Sequence, residues 1–300
     1  MDDLFFPLPP EVLADPVLEA YANTWEEPVV AQRNPVADPY LSAVYDFGVH
    51  PENSAWLLNS GWAFMPELDR DGFVAAIIEL FPAKVEALQT LYMSAFGHLG
   101  DPEGLAFWTL NMVNHVTNDP TALLSPAINT APEYVGMLKS ILADQPALAT
   151  LNTGTAIETY IRTLDAPTQH ELFGRVIDAM YENMFGRVAD ASGKAYWTGV
   201  IETGTVNLVQ VMGALINGAS ADDKALLSLK GDIAYDAVTA LVDHNIITTQ
   251  DITRLGADKV TTALTTMQER LAEYDAHETI ALQANRESLI AQLLKDVGLV

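Results

Sequence analysis

The chain carries one skeleton twice. Tyr92, Phe96, Gly97, Asp101, Gly104 and Trp108 recur 89 positions later as Tyr181, Phe185, Gly186, Asp190, Gly193 and Trp197, with no insertion inside either copy. His98 of the first copy becomes Arg187 in the second, and each Trp follows another aromatic residue, Phe107 or Tyr196. Self-similarity that keeps Trp, Gly and Asp in register marks a duplicated supersecondary unit.

The residue types dictate what that unit is. Tyr181, Met184 and Phe185 share one face of a helix. Gly186 stands where a helix C-terminus needs a left-handed backbone, and Arg187 follows near the negative end of the helix dipole. Asp190 occupies the N-cap position before Ala191-Ser192-Gly193. Gly193 then lies inside the new helix, a poor place for Gly by propensity, so its use is close approach of a ring or backbone. Tyr196 and Trp197 come one turn later and are expected to pack back on Tyr181 and Phe185. The spacing thus predicts a helix, a tight turn and a capped helix with an aromatic lock. Arg187 is expected to pair with Asp190 across the turn, and His98 makes the same pair weaker in the first copy near neutral pH. Asp101 and Asp190 admit a second reading as ligands or catalytic acids, but the helix start after each one favours the cap. The aromatic pairs are expected in the core rather than on a sugar-binding platform.

Around the repeats the periodicity is helical. The opening fifty residues are rich in Pro, with Val12 to Thr24 a candidate helix. Asp46-Phe47-Gly48 and Trp56, between Tyr40 and Phe64, faintly echo the skeleton without its spacing. From Asp71 onward apolar residues recur at threes and fours through Phe96, and the face continues past Trp108 through Leu110, Val113 and Val116. Shorter helices are expected over Glu133 to Leu142 and Thr155 to Leu164, with a turn over Pro146 to Leu151. Longer ones are expected over Thr168 to Phe185, Asp222 to His244, Thr249 to Tyr274 and Glu278 to Val297. No period-two run is long enough for a sheet. The fold class is all-α and multi-helical, elongated or two-lobed. Its expected organisation is a Pro-rich N-terminal region over 1–84, repeat units over 85–150 and 151–221, and a C-terminal helical segment over 222–300.

Composition narrows the function. There are 40 Asp and Glu against 15 Lys and Arg, a formal net charge of −25, and such a surface repels phosphate backbones and anionic headgroups. Nucleic acid is therefore not an expected partner. The carboxylates suit solubility in a salty medium, and the sharper reading is attraction of divalent cations such as calcium; no other cofactor is expected. Cysteine is absent, which excludes disulfides and thiolate metal sites. No apolar run is long enough for a transmembrane helix, and the N-terminus, Met1-Asp2-Asp3-Leu4-Phe5-Phe6-Pro7, lacks the basic and apolar regions of a cleavable signal peptide.

Motifs of catalysis are missing. The sequence has no Gly-x-Ser-x-Gly elbow, no phosphate-binding Gly-x4-Gly-Lys-Ser/Thr loop and no His-Glu-x2-His. Of the scattered histidines, His50, His98, His115, His170, His244 and His277, only His98 and His115 could approach each other. Asp69 and Asp71 before Gly72 echo a calcium loop but lack the rest of its pattern, so a helix start accounts for them better.

The second copy, Tyr-Glu-Asn-Met-Phe-Gly-Arg-Val-Ala-Asp-Ala-Ser-Gly-Lys-Ala-Tyr-Trp from Tyr181 to Trp197, resembles the bacterial domain-of-unknown-function family 4214. That family is distantly similar to phycobilisome linker domains. Ile201 to Gly204 and Ala214 to Gly218 continue the likeness. Asp222 to Lys230 and Ile233 to Tyr235 resemble the segment that often follows such domains, and the first copy departs at His98 and Gly100-Asp101. The resemblance implies a setting: surface-layer proteins, adhesins and type I secretion substrates of Gram-negative bacteria, in some of which a helical N-terminal region anchors a lattice to lipopolysaccharide. No Gly-Gly-x-Gly-x-Asp array is present, so calcium-driven assembly does not carry over.

The expectation is accordingly a non-catalytic, structural protein at the cell surface, exported without an N-terminal signal peptide. Its expected partners are envelope polysaccharide or lipopolysaccharide, with self-association or contact to other surface proteins besides. The alternatives are an intracellular assembly linker, which the acidic charge disfavours, and an enzyme with an unrecognised helical site.

Overall fold

The computed structural model describes residues 70–115, 117 and 120–300. The candidate helix at Val12 to Thr24 and the degenerate echo between Tyr40 and Phe64 lie outside the described residues. Among those described there are thirteen α-helices and no strand. They are α1 (Arg70–Leu80), α2 (Pro82–Phe96), α3 (Pro102–Asn114), α4 (Pro120–Thr130) and α5 (Pro132–Ile141); then, after a 3-10 turn (Pro146–Thr150), α6 (Gly154–Ile161), α7 (Ala166–Phe185), α8 (Ala191–Glu202) and α9 (Gln210–Gly218); and finally α10 (Ala221–Asp243), α11 (Thr249–Leu255), α12 (Ala257–Ala272) and α13 (Thr279–Val297). None of the helices among these residues is long and apolar enough to cross a membrane.

Local chemistry sets the helix starts. α2, α3, α5 and α7 open with Pro in the first turn, where its missing N–H leaves no bond unmade. Asp101, Thr153, Asp165, Asp190 and Ser220 cap α3, α6, α7, α8 and α10 with side-chain oxygens. Thr248 and Asp251 form a capping box ahead of α11. The single helix expected over Thr249 to Tyr274 is instead two, parted at Gly256 with φ +105°. The apolar spacing runs on through Ile252, Leu255 and Val260, which hides the break from a periodicity argument.

Two apolar clusters hold these helices together. The larger is built mainly from α1 to α9, with Phe73, Leu88, Leu91, Tyr134, Phe173, Ile177 and Phe185 fully or almost fully buried. The smaller joins α10, α12 and α13 through Leu226, Ile233, Leu264, Met267, Leu282 and Leu293. Met93 and Leu99 of the first repeat insert into the smaller cluster, so this repeat belongs to both. Each buried side chain of that size contributes roughly 1.5–3 kcal/mol. α2 and α7, the leading helices of the two repeats, touch each other, and both touch α10. The two copies are therefore part of one helical packing.

Candidate functional site

The two repeat turns are the part of the chain with a distinctive residue pattern. In each copy the leading helix ends in a left-handed Gly, Gly97 at φ +68° and Gly186 at φ +66°. The following helix begins at the aspartate. Asp190 Oδ1 accepts the backbone N–H of Ser192 at 3.0 Å and of Gly193 at 2.9 Å, and the Ser192 hydroxyl at 2.5 Å. Asp101 Oδ1 accepts the Gly104 N–H at 2.9 Å.

The second glycine of each copy makes room for a tyrosine hydroxyl. A Cβ on Gly104 would stand 3.2 Å from Tyr92 Oη, and one on Gly193 would stand 3.4 Å from Tyr181 Oη. Trp108 lies beside the Tyr92 hydroxyl and Trp197 beside the Tyr181 hydroxyl, each indole partly opposing the burial that raises the tyrosine's pKa. Tyr92 meets Phe96 edge-on at 5.0 Å, and Tyr181 meets Phe185 at 5.1 Å. The lock is thus a Trp set beside a Tyr hydroxyl across the turn, seated over a glycine. The residue after each Trp, Thr109 or Thr198, is fully buried as well. This pair lies at the same 89-residue offset and extends the skeleton by one position.

Arg187 does not pair with Asp190. Its guanidinium bonds Asp223 at 2.8 Å and lies over the rings of Tyr181 and Phe185 at 5.4 and 5.9 Å. Packing places Asp223, buried beside Ser220 at the start of α10, within reach of the guanidinium, while Asp190 Oδ1 takes the donors of its own helix start. Arg187 therefore ties the second turn to α10. In the first copy the His98 ring stacks on Phe96, and its Nδ1 lies 2.7 Å from the Leu99 carbonyl oxygen. His115 turns to the Asn111 carbonyl of its own helix, so these two histidines are not brought together.

The aromatic expectation needs one correction. Phe107, Trp108 and Trp197 pack against the larger cluster, but Tyr196 is 63% exposed. It sits on the outer face of α8, because Trp197 and Thr198 take the inward positions.

The surroundings of the two turns differ. Gln89 clamps the first turn, accepting the Gly100 N–H at 2.8 Å and donating to Ala234 of α10 at 3.3 Å. Glu103, also buried, accepts both the N–H and the hydroxyl of Thr249 at 2.6 Å, which fixes the start of α11. Burial pushes the Asp101 carboxyl above its ordinary pKa, and the neighbouring Glu103 charge adds to the effect. Asp190 goes the other way, held below the ordinary range first by the Ser192 hydroxyl and then by the Gly193 N–H. Gly186 lies against α12, where a Cβ would stand 2.4 Å from the Tyr274 carbonyl oxygen. Close by, the buried Lys230 donates to the Met184 carbonyl at 3.1 Å, and burial lowers its pKa to about 8.

Among the described residues, no three or more His, Asp or Glu side chains are grouped to hold a metal ion. Asp71 lies in the first turn of α1. Sequence reasoning missed Gln89, Glu103, Thr109, Thr198 and Lys230. Only the threonines left a signal, in the register of the repeat.

Residues 157–222 match the model of the family described as Domain of unknown function (DUF4214). The match contains the second turn and α8 and leaves the first copy outside. No curated protein and no solved structure matched the chain.

Proposed function

We propose that this chain is a non-catalytic structural protein, exported to the surface of a Gram-negative bacterium, where it holds envelope polysaccharide or lipopolysaccharide. The observation that carries this reading is where the repeat spends its polar groups. Asp101 and Asp190 cap helices, Arg187 joins the second turn to α10, and each Trp lies beside the hydroxyl of its Tyr. A motif used up in this way builds a frame and leaves no group poised for proton transfer or attack. The match over residues 157–222 and the resemblance to domains of surface-layer proteins and adhesins support the setting. Absence of cysteine and a charge of −25 fit a chain exported unfolded into a salty medium. Calcium or another divalent ion would bridge its carboxylates to anionic sugars.

The test is retention of the purified chain on intact Gram-negative cells and on their isolated envelopes, with and without a chelator. Retention that the chelator reverses is the expected result. Failure to bind any envelope fraction, with or without added calcium, overturns the proposal.

A further inference from the structure

The constant offset allows the repeats to be compared position by position. In the first copy Met93, Leu99, Pro102, Glu103 and Ala106 are all buried. Helices cover them: the Leu99 N–H donates to Leu264 of α12 at 3.4 Å, Glu103 holds α11, and α1 lies along α3. Their counterparts in the second copy are Glu182, Val188, Ala191, Ser192 and Ala195, and every one is exposed. Phe107 packs on the core, while its counterpart Tyr196 is 63% exposed and Val188 beside the turn is 53% exposed.

The bare face has a definite shape. Ala191, Ala195 and Gly199 recur at four-residue spacing along α8, and the space where a Gly199 Cβ would point is open for 4 Å. Tyr196 borders this groove, steadied edge-on against Trp197 at 4.9 Å.

We propose that this face of the second repeat, formed by Val188, Ala191, Ala195 and Tyr196, docks an α-helix of a partner protein whose apolar stripe is flanked by Lys or Arg. A helix fits because helices fill the matching face of the first copy, and because small residues at four-residue spacing form a groove that accepts a helix ridge. Charge decides against a second copy of this chain. Glu182 replaces the buried Met93, Asp190 is exposed, and the two cations between Tyr181 and Trp197 are already paired, Lys194 with Asp178 and Arg187 with Asp223. Two such acidic surfaces repel, and a basic helix is attracted.

A synthetic amphipathic peptide about five turns long, with a Leu stripe and Lys flanks, probes the face by fluorescence anisotropy at about 0.15 M salt. A twin with Glu flanks serves as the control. The Lys peptide is expected to bind the full chain and the Glu twin is not. Ala195→Glu is expected to weaken binding about tenfold, the effect of blocking one well-packed contact, even though it adds negative charge. Tyr196→Ser, which leaves charge unchanged, is expected to weaken it too, and circular dichroism checks that both variants fold. The proposal is overturned if the Lys peptide fails to bind. It is overturned equally if Ala195→Glu binds as well or better, since attraction is then merely Coulombic, or if Tyr196→Ser changes nothing. Sedimentation of a wild-type dimer that Ala195→Glu dissociates would assign the face to a second copy and overturn it as well.

Discussion

Replacing Lys230 by Met keeps most of the side chain's bulk and removes its charge. Lys230 is 1% exposed, and its ammonium's one hydrogen bond to a described group is to the Met184 carbonyl at the end of α7, 3.1 Å away. Burial lowers its pKa from 10.5 to about 8, partly opposed by the charge of Asp275. That fall, at about 1.36 kcal/mol per pH unit, corresponds to roughly 3 kcal/mol of cost for holding the charged form inside. Below about pH 8 the lysine is protonated both folded and unfolded, and the cost is fully present. Between about 8 and 10.5 the unfolded chain still binds the proton that the folded chain has released, so wild-type stability rises with pH across that window. Lys230→Met removes the cost and also the bond to Met184, which subtracts roughly 1.5–2 kcal/mol. The variant is therefore expected to be about 1 kcal/mol more stable than wild type at neutral pH, and less stable by a similar amount near pH 10.5. Urea unfolding of both proteins at the two pH values measures the difference. Buried tyrosines such as Tyr92 and Tyr134, whose pKa values burial pushes upward, are common to both proteins and cancel. A stability difference that stays constant with pH would refute the reasoning, because Lys230 would then titrate as an ordinary lysine.

Three further outcomes follow from the turns. Gly97→Ala and Gly186→Ala both force a left-handed backbone, which costs about 1–2 kcal/mol, but a Cβ at 186 also meets the Tyr274 and Ala272 carbonyls at 2.4 and 2.8 Å while one at 97 meets nothing. Chemical denaturation should show the second variant several-fold more damaging, and equal losses would mean that α12 does not press on the turn. Trp108→Phe shrinks a ring that packs on the larger cluster beside the Tyr92 hydroxyl and should cost about 0.5–3 kcal/mol; an unchanged midpoint in thermal melts would mean that the indole does not hold the turn. Asp190→Asn should lower stability at neutral pH, and its effect should shrink as pH falls below the ordinary carboxylate range, because a carboxyl held below that range contributes above it and stops contributing as it protonates. Asp101→Asn should behave oppositely: its charge costs stability at neutral pH, the cost fades as pH falls through a raised pKa, and the amide oxygen still accepts the Gly104 N–H. Melting both variants from neutral pH down through the carboxylate range checks the opposite signs.

Much of the fold could be read from single positions. Pro in a first turn, Asp101, Asp165 and Asp190 ahead of helices, and Gly at 97 and 186 each act within a few residues of chain, so their chemistry is visible in the sequence. What acts across the fold was not. Asp223 lies 36 residues beyond Arg187, and only packing brings it within reach of the guanidinium. Glu103 reaches Thr249 across 146 residues, and Gln89 reaches Ala234 across 145. Tyr196 looked like core because its neighbour Trp197 is. Adjacent helical residues point about a hundred degrees apart, so only one of the pair can face inward unless a neighbour covers the other.

That missing neighbour separates the two copies. The same skeleton serves two different loads. In the first copy Leu99, Gly100 and Glu103 make the turn a hub that holds α10, α11 and α12, and Asp101 accepts burial that raises its pKa. In the second copy the inner side is engaged through Gly186 and Arg187, while Asp190, Ala191, Ala195 and Tyr196 stay in water. The lock asks for Tyr, Phe, Gly, Asp, Gly and Trp, and both copies keep all of them. The outward positions are free of the lock, so Met93 and Glu182, or Phe107 and Tyr196, can diverge without loosening the turn. A duplicated unit of this kind lets one copy cement the chain to itself while the other keeps a rigid face for something outside it.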